Sequence, residues 1–315
     1  MRMMKRFIST LVALSMLPLS TLAAEQVNKT LDVSTMPTVY IEIIRGNIDI
    51  ETWNKPQVKV KGTLDEKSEG LIFERNGDSI KIKDKLPRRL NDSNAKGSNL
   101  VIMVPRKVNL DADGVSTDFK LGKLEGDIDV ETVSGNVNAA QINGASTLSS
   151  VSGNINAVNL SGKIKFSAIS GKIKDTNSNG RVRYTLVSGN LVSTSHAKDI
   201  EAELISGELE AQFSKVNQLE VRVVSGDAQI KLPGDIERVR AESVSGDIEL
   251  SFSKKPNASF ELDGGPGGDI NNRLTHDKPK KQKYTRAESL SFSTGKASAS
   301  IKMSTISGEL TVRTR

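Results

Sequence analysis

Cysteine is absent from this chain of 315 residues, and histidine occurs only at His196 and His276. Without cysteine the protein has no disulfide bond, no thiolate nucleophile and no lipidated cysteine. Two isolated histidines provide too few ligands for a zinc site and too few bases to activate a repeated serine. The sequence therefore predicts no metal, no cofactor and no catalytic residue.

Aromatic residues are also scarce, because they make up only 4% of the chain and include a single tryptophan. A deep globular core normally uses more large rings. Valine, isoleucine, leucine, serine, glycine and asparagine recur instead. This composition predicts a thin core filled by β-branched and small side chains.

Only one long apolar run occurs, from Phe7 to Leu19, and it lies between a basic start and small residues. The run is shorter than the roughly 20 residues that a membrane-spanning helix needs. This order predicts a secretory signal peptide over residues 1–24, with cleavage after Ala23 or Ala24. We therefore expect an exported protein, periplasmic or extracellular, whose mature chain has no transmembrane segment.

Removal of the signal peptide also changes the charge of the protein. The formal net charge of the whole chain is +6, and it falls to +3 when Arg2, Lys5 and Arg6 are lost. A weakly basic exported chain with interspersed charges predicts no nucleic-acid partner.

The remaining sequence is organised by a repeated triplet, Val-Ser-Gly or Ile-Ser-Gly, which occurs eight times. Its glycines lie at positions 135, 153, 171, 189, 207, 226, 246 and 308, and the first five are 18 residues apart. A second set, at positions 126, 144, 162 and 180, interleaves with them in steps of nine. Each block of nine residues is typical of one strand and one turn, so two blocks make one coil.

Within a coil, apolar residues alternate with polar ones, as in half-buried strands. Val151 and Ile155, two places on either side of Gly153, are predicted to face the core, whereas Ser152 and Asn154 face outward. Equivalent residues recur in register, which favours parallel stacking over an antiparallel meander. The predicted fold is all-β: a parallel β-solenoid, of β-helix or β-roll type, with two strands per coil of about 18 residues.

The two glycine columns differ. Strict alternation points the Ser-Gly glycine into the core, where we expect it to make room for closely approaching sheets or to form a bulge. In the second column the positions that follow Gly180 become Lys198, Asn217 and Glu237. That turn therefore favours glycine without requiring it.

The mature chain, residues 25–315, is predicted to form a single solenoid domain. Its expected parts are irregular opening coils (25–104), the regular Ser-Gly array (105–260), a loop insertion (261–287) and closing strands (288–315). A polar loop is expected within the opening coils at residues 84–98.

The insertion carries a basic cluster, formed by Lys278, Lys280, Lys281, Lys283 and Arg286. Such a cluster is either a solvated loop or a site of attachment to an anionic envelope polymer or lipid headgroup. Residues 264–269 of the same insertion match part of a calcium-binding β-roll repeat. Because those sites need stacked copies and this copy is single, we expect no calcium here.

A catalytic interpretation is disfavoured on two grounds. The serine of the triplet occurs eight times without a Gly-x-Ser-x-Gly elbow, whereas a nucleophile is singular and oriented. Paired carboxylates, such as Asp127 with Asp129 or Glu208 with Glu210, share a strand face and could flank a sugar bond. Nothing in the sequence distinguishes one such pair from the others.

Three segments carry a resemblance to a known family: GNIDIETWNKPQVKVKG (46–62), NLVIMVPRKVNLDADGVSTDFKLGKLEGDIDVETVSG (99–135) and TISGELTV (305–312). They resemble the bacterial exported "putative adhesin" family of β-strand-repeat proteins, a domain of unknown function. The resemblance covers most of the mature chain. It implies an exported, non-enzymatic, solenoid-like protein of the bacterial envelope, and it transfers no catalytic or ligand residue.

The sequence thus predicts an adhesin-like binding or structural module, in which ordered ladders of side chains contact an extended partner, an envelope glycan or protein. The alternative is a carbohydrate-active enzyme on a parallel β-helix scaffold. That alternative requires a single clustered acid/base groove along the solenoid.

Overall fold

The computed structural model describes residues 24–89 and 96–315, and every regular element in these residues is a strand. The predicted signal peptide lies outside the described residues, apart from residue 24. Seven strands open the fold: β1 (Gln26–Asp32), β2 (Thr38–Trp53), β3 (Gln57–Thr63), β4 (Leu71–Asn76), β5 (Ser79–Asp84), β6 (Ser98–Pro105) and β7 (Asn109–Gly122).

The regular array follows, and each of its coils contributes one strand to each of two parallel sheets. The first sheet contains β8 (Ile128–Thr132), β10 (Asn143–Ser152), β12 (Ser161–Ser170), β14 (Asn179–Ser188), β16 (Asp199–Ser206), β18 (Gln218–Ser225) and β20 (Arg238–Ser245). The second sheet contains β9 (Val137–Ala140), β11 (Ile155–Val158), β13 (Ile173–Thr176), β15 (Leu191–Thr194), β17 (Leu209–Gln212), β19 (Ala228–Leu232) and β21 (Ile248–Phe252). Equivalent residues pair across coils, as Ile155 does with Ile173. The predicted parallel β-solenoid with two strands per coil is confirmed.

The core is the narrow space between the two sheets. Inward positions of both sheets are occupied by aliphatic residues that are almost completely buried, such as Ile164 and Ile173. Two of the few buried rings stack from one coil to the next: Phe166 lies nearly parallel to Tyr184, with 5.4 Å between the ring centroids. Burial of each large aliphatic side chain contributes about 1.5–3 kcal/mol, so the core gains stability in proportion to the number of coils.

The Ser-Gly glycine lies at the corner where the chain passes from the first sheet to the second. A Cβ atom on Gly171 would overlap the carbonyl oxygen of Gly153 in the preceding coil, and a Cβ on Gly153 would overlap that of Gly135. The expected close approach is therefore present, but it joins consecutive coils along the stack. The expectation that the glycine makes room between the two sheets is wrong, because the contact runs at right angles to that direction.

The opposite corner has its own column of unusual backbone, which the sequence did not reveal. Lys123, Gln141, Asn159 and Asn177 all adopt left-handed conformations, with φ between 57° and 61°. The backbone N–H of Asn159 donates to Thr176 O at 2.9 Å, so the turn also pairs from coil to coil. Asparagine tolerates this conformation well, which is the one sequence signal for the column.

Both ends of the solenoid are closed by strands of mixed direction. At the start, β1 pairs antiparallel with β3, β3 with β6, and β4 with β5. The end consists of β22 (Ala258–Gly265), β23 (Gly267–Asn272), β24 (Lys280–Lys281), β25 (Glu288–Ser293), β26 (Ala299–Ser304) and β27 (Ser307–Thr314). Antiparallel hairpins at the ends cover edges that would otherwise recruit further strands.

The loop insertion predicted over residues 261–287 is wrong for residues 261–272, which belong to β22 and β23. The last coil, β26 and β27, pairs with β20 and β21 on one side and with β22 and β23 on the other. Gly308 consequently stacks directly on Gly246. The glycines among residues 264–268 allow close contact with this last coil. The high glycine content of the segment therefore belongs to packed strands and does not indicate a loop. Within the other predicted loop, residues 84–98, the described residues 85–89 and 96–97 have no helix or strand, whereas Asp84 ends β5 and Ser98 begins β6.

The corner contact makes a specific prediction for Gly171, whose φ is 150°. Gly171→Val is expected to lower stability by about 3 kcal/mol or more, because the side chain meets fixed backbone in a conformation that favours glycine. Thermal unfolding followed by circular dichroism would measure the effect. The adjacent Ser170→Val, at an exposed position, is the control and should change little. An unchanged unfolding midpoint for Gly171→Val would contradict the role given to the corner.

Candidate binding surface

The valine or isoleucine of each Ser-Gly triplet lies on the outside of the corner. The eight side chains keep 38–57% of their surface exposed and stand one above another, one per coil. We name this row the aliphatic ridge; it consists of Val133, Val151, Ile169, Val187, Ile205, Val224, Val244 and Ile306. At about 4.8 Å per coil the ridge is roughly 34 Å long.

The prediction that these residues face the core is wrong, and the reason is a change of phase at the corner. Ser146, Leu148 and Ser150 of β10 point inward, and so does Ile155 of β11. Ser150 and Ile155 are five residues apart, an odd number, and yet both point inward. The alternation of inward and outward residues therefore does not continue across the corner. Counting in steps of two back from Ile155 would make Val151 an inward residue. Val151 belongs to β10, however, where it directly follows the inward Ser150 and therefore points outward.

The serines of the triplets form a second exposed row beside the ridge. Ser152 pairs with Ser170, and Ser170 with Ser188, in the parallel ladder. His196 lies at the opposite corner of its coil, where its backbone N–H donates to Ser178 O at 2.8 Å. The triplet serines are thus equivalent from coil to coil, and His196 lies on the other side of the solenoid from them.

Where it is asparagine or aspartate, the residue after a corner glycine connects one coil to the next through its side-chain oxygen. Asn136 Oδ1 accepts the backbone N–H of Asn154 at 3.0 Å, and Asn154 Oδ1 accepts that of Lys172 at 3.0 Å. Asp227 Oδ1 receives the N–H of Asp247 in the same way, at 3.0 Å. These residues were predicted only to face outward. Their oxygen atoms also satisfy N–H groups at a corner where the strand ladder is interrupted.

This column also sets the charge beside the ridge. In the first half it contains Asn136, Asn154, Lys172 and Asn190, and in the second half it becomes acidic, with Glu208, Asp227, Asp247 and Glu309. The ridge is therefore flanked by neutral or basic groups at one end and by carboxylates at the other.

The model of the family described as Toastrack DUF4097 matches residues 38–313. The chain belongs to the Toastrack DUF4097 family. This confirms the resemblance to an adhesin-like β-repeat family of unknown function. Comparison with curated proteins gave no match.

Solved structures similar to this Toastrack chain have low identity to it. A "putative adhesin" from Bacteroides fragilis is 10% identical, with a TM-score of 0.34, over 93% of this chain and 98% of the other. A "putative adhesin" from Parabacteroides distasonis is 12% identical, with a TM-score of 0.35, over 93% and 98%. A "putative lipid binding protein" from the same organism is 12% identical, with a TM-score of 0.37, over 91% and 96%. Similarity at this level does not indicate what the present chain binds.

The carboxylate pairs of the Toastrack chain lie on open faces. Asp127, Asp129, Glu208 and Glu210 are all exposed. Partial burial and then the nearby Glu131 raise the pKa of Asp129. The pairs are not brought together: Asp127 and Asp129 line a shallow groove of about 260 Å³ that contains neither glutamate.

Polar chemistry is also present inside the Toastrack core, although no motif in the sequence indicated it. Asp175 of β13 is buried and accepts hydrogen bonds from the hydroxyls of Ser178 and of Tyr184, the latter at 2.5 Å. Tyr184 Oη also lies 2.9 Å from Ser193 Oγ. Burial raises the pKa of Asp175, although the hydroxyl donors oppose this. The network is satisfied and sealed from solvent, which gives it a structural role.

The basic cluster lies at the end of the solenoid. Lys280 and Lys281 form β24, which pairs antiparallel with β25 and produces a short hairpin. Among the described residues no helix is long and apolar enough to cross a membrane, and no three acidic or histidine side chains come together as metal ligands. Asp269, from the calcium-like stretch, is part of β23 and faces outward.

The buried network predicts a pH-dependent mutation effect. The raised pKa means that the folded chain binds the Asp175 proton more tightly than the unfolded chain. The charged carboxylate therefore costs stability above its folded pKa, and this cost disappears as the pH falls towards the ordinary value of 3.8. Tyr184→Phe removes a donor to the charged form, so it should destabilise the protein by about 1–3 kcal/mol at neutral pH and by less in acid.

Urea unfolding of the wild-type and Tyr184→Phe proteins over this pH range would measure the difference. In an Asp175→Asn background the pH dependence of the tyrosine effect should vanish. A loss of equal size at every pH would show that the hydroxyl acts independently of the Asp175 charge.

Proposed function

We propose that this Toastrack protein is exported and acts, without catalysis, as an adhesin-like binding or structural module of the bacterial envelope. The aliphatic ridge is the observation that supports this proposal most directly. Contiguous exposed apolar surface of this length is uncommon on monomeric soluble proteins and is typical of interaction sites. Because the ridge is continuous over all eight coils, it suits an extended partner that lies along it.

An extended protein segment fits the ridge better than an envelope glycan. A glycan carries many hydroxyl groups, and each would lose a hydrogen bond if it were covered by valine or isoleucine. The ridge offers one serine hydroxyl per coil beside each aliphatic side chain. A polypeptide with alternating apolar side chains could place every second residue against the ridge, since strand residues alternate at about 6.6 Å.

Charge complementarity further restricts which extended segments fit the ridge. Glu208, Asp227, Asp247 and Glu309 flank the second half of the ridge. An extended partner that alternates apolar and basic residues would bury its apolar side chains on the ridge, and these carboxylates would attract its cations, which leave the opposite face of the strand. Such attraction contributes more to specificity and association rate than to affinity.

The alternative, a carbohydrate-active enzyme on the same scaffold, has its best support in the acidic face near Asp111, Asp113 and Asp129. Burial, followed by repulsion from Asp111 and Glu42, raises the pKa of Asp113. Raised carboxylate pKa values are found in general acids. The groove beside it is shallow and lined by Asp111, Asp127 and Asp129, so burial, with added repulsion between carboxylates, accounts for the raised pKa without a substrate.

Export is tested by cell fractionation with mass spectrometry of the amino terminus. A mature chain beginning at Ala24 or Glu25, found in the periplasm or medium, is the expected result. A chain that keeps residues 1–23 and stays in the cytoplasm would refute the envelope assignment.

Ridge binding is tested by calorimetry with three probes: a peptide of alternating valine and lysine, one of alternating valine and glutamate, and soluble peptidoglycan fragments. The lysine peptide should bind most tightly. Val187→Ser should weaken it several-fold, because one aliphatic contact is lost. Val158→Ser is the matched control, since Val158 is equally exposed (39% for each) but lies on the outer face of the second sheet. Equal losses for both variants, or binding of the peptidoglycan fragments alone, would contradict the proposal.

A further inference from the structure

The basic hairpin at the end of the solenoid has the composition of a surface-binding element. Its strands pair between Lys280 and Ser289 and between Lys281 and Glu288. The backbone N–H of Gln282 donates to Ala287 O at 2.9 Å and closes the tip. The hairpin forms the outer edge of the first sheet, because β24 contacts β25 alone. The tip is therefore held in a defined conformation and has no strand beyond it.

Positive charge is concentrated on this hairpin. Residues 278–286 contain five cations and no acidic residue. Lys281 pairs with Glu288, with 2.8 Å between Nζ and Oε1. Within the described residues no ion pair is formed by the other four, which are Lys278, Lys280, Lys283 and Arg286. Four cations are thus available to an anionic surface.

A tyrosine stands between the cations at the tip. Tyr284 is 89% exposed, whereas the next most exposed aromatic ring among the described residues, Tyr40, is 44% exposed. The Nζ of Lys283 lies 5.8 Å from the centre of the Tyr284 ring. A ring that is this exposed contributes little to the stability of the fold, so its position points to a role in binding. Tyrosine combines an apolar ring with a polar tip and is enriched where membranes meet water.

We propose that the hairpin tip docks this protein reversibly on a bilayer that contains anionic lipids. Lys278, Lys280, Lys283 and Arg286 contact headgroup phosphates, and the Tyr284 ring enters the interfacial layer. A soluble polyanion would use the cations alone, so the tyrosine favours a bilayer. A basic patch without an acyl chain or inserted helix gives weak, salt-sensitive attachment, which defines a peripheral protein.

The hairpin and the aliphatic ridge would act separately. The ridge ends at Ile306, beside the turn that joins β22 and β23, because Gly267 N–H donates to Ile306 O at 3.1 Å. The second half of the ridge is flanked by carboxylates, which an anionic bilayer repels. Docking through the tip would therefore leave the ridge available to another partner. The lipid proposal does not depend on the function proposed for the ridge.

Co-sedimentation with vesicles tests the proposal, using the exported chain from Glu25 onward. Vesicles of phosphatidylcholine with phosphatidylglycerol are compared with vesicles of phosphatidylcholine alone, and inorganic polyphosphate serves as the soluble anion. We expect binding to the anionic vesicles that weakens as salt is raised. Each neutralised cation should lower vesicle binding about fivefold, so the triple variant Lys280→Gln, Lys283→Gln, Arg286→Gln should lose roughly a hundredfold.

Two further variants make the result specific. Lys163→Gln, Lys165→Gln and Lys174→Gln together remove the same charge from exposed positions on the sheet faces, and this triple variant should bind vesicles nearly as the wild-type protein does. Tyr284→Ser should weaken binding to vesicles and leave binding to polyphosphate unchanged. All substituted side chains are exposed, and circular dichroism verifies that the variants are folded.

Three outcomes would overturn the proposal. The first is equal binding of the wild-type protein to both kinds of vesicle. The second is an equal loss in the hairpin and control triple variants, which would indicate a general charge effect. The third is binding to polyphosphate and vesicles that Tyr284→Ser leaves unchanged, which would identify a soluble anionic polymer as the ligand.

Discussion

Direct stacking of backbone on backbone at the Ser-Gly corner is the constraint on which the rest of the structure depends. The glycine of one coil lies against the carbonyl oxygen of the glycine in the coil before it, with no space for a side chain. Parallel strands on both sides of the corner can keep their register only if the corners superimpose. Once they superimpose, every inward and outward column is determined, including the buried aliphatic columns and the exposed ridge.

The same constraint explains the order of the last coils. The eighth triplet lies 62 residues after the seventh, yet Gly308 stacks on Gly246 as though no residues separated them. The intervening chain passes beyond this position, forms β22 and β23, and leaves a gap that β26 and β27 fill. The place of a coil in the stack is therefore determined by the corner that its glycine contacts, and it need not follow the order of the chain.

Much of the fold could be predicted from the sequence, because repetition makes both the period and the pairing visible. The stacking of Lys198 and Asn217 beneath Gly180 follows from alignment of the coils. The outward turn of Val151 could not be predicted in this way. Alternation describes a strand, and the corner between Ser150 and Ile155 shifts it by one residue. The Asp175 network was also inaccessible to sequence reasoning, because Asp175 and Tyr184 meet only across the core.

A repeated scaffold has a further consequence for function. Features that recur in every coil, such as the ridge, suit a partner that repeats or extends, and by themselves they do not fix where along the solenoid it binds. Features that occur once can fix a position. The hairpin with Tyr284 is such a feature, since it interrupts the coil pattern at one end and since, within the described residues, four of its five cations form no ion pair. If both surfaces act, the single hairpin would orient the molecule at a membrane and the ridge would extend from it.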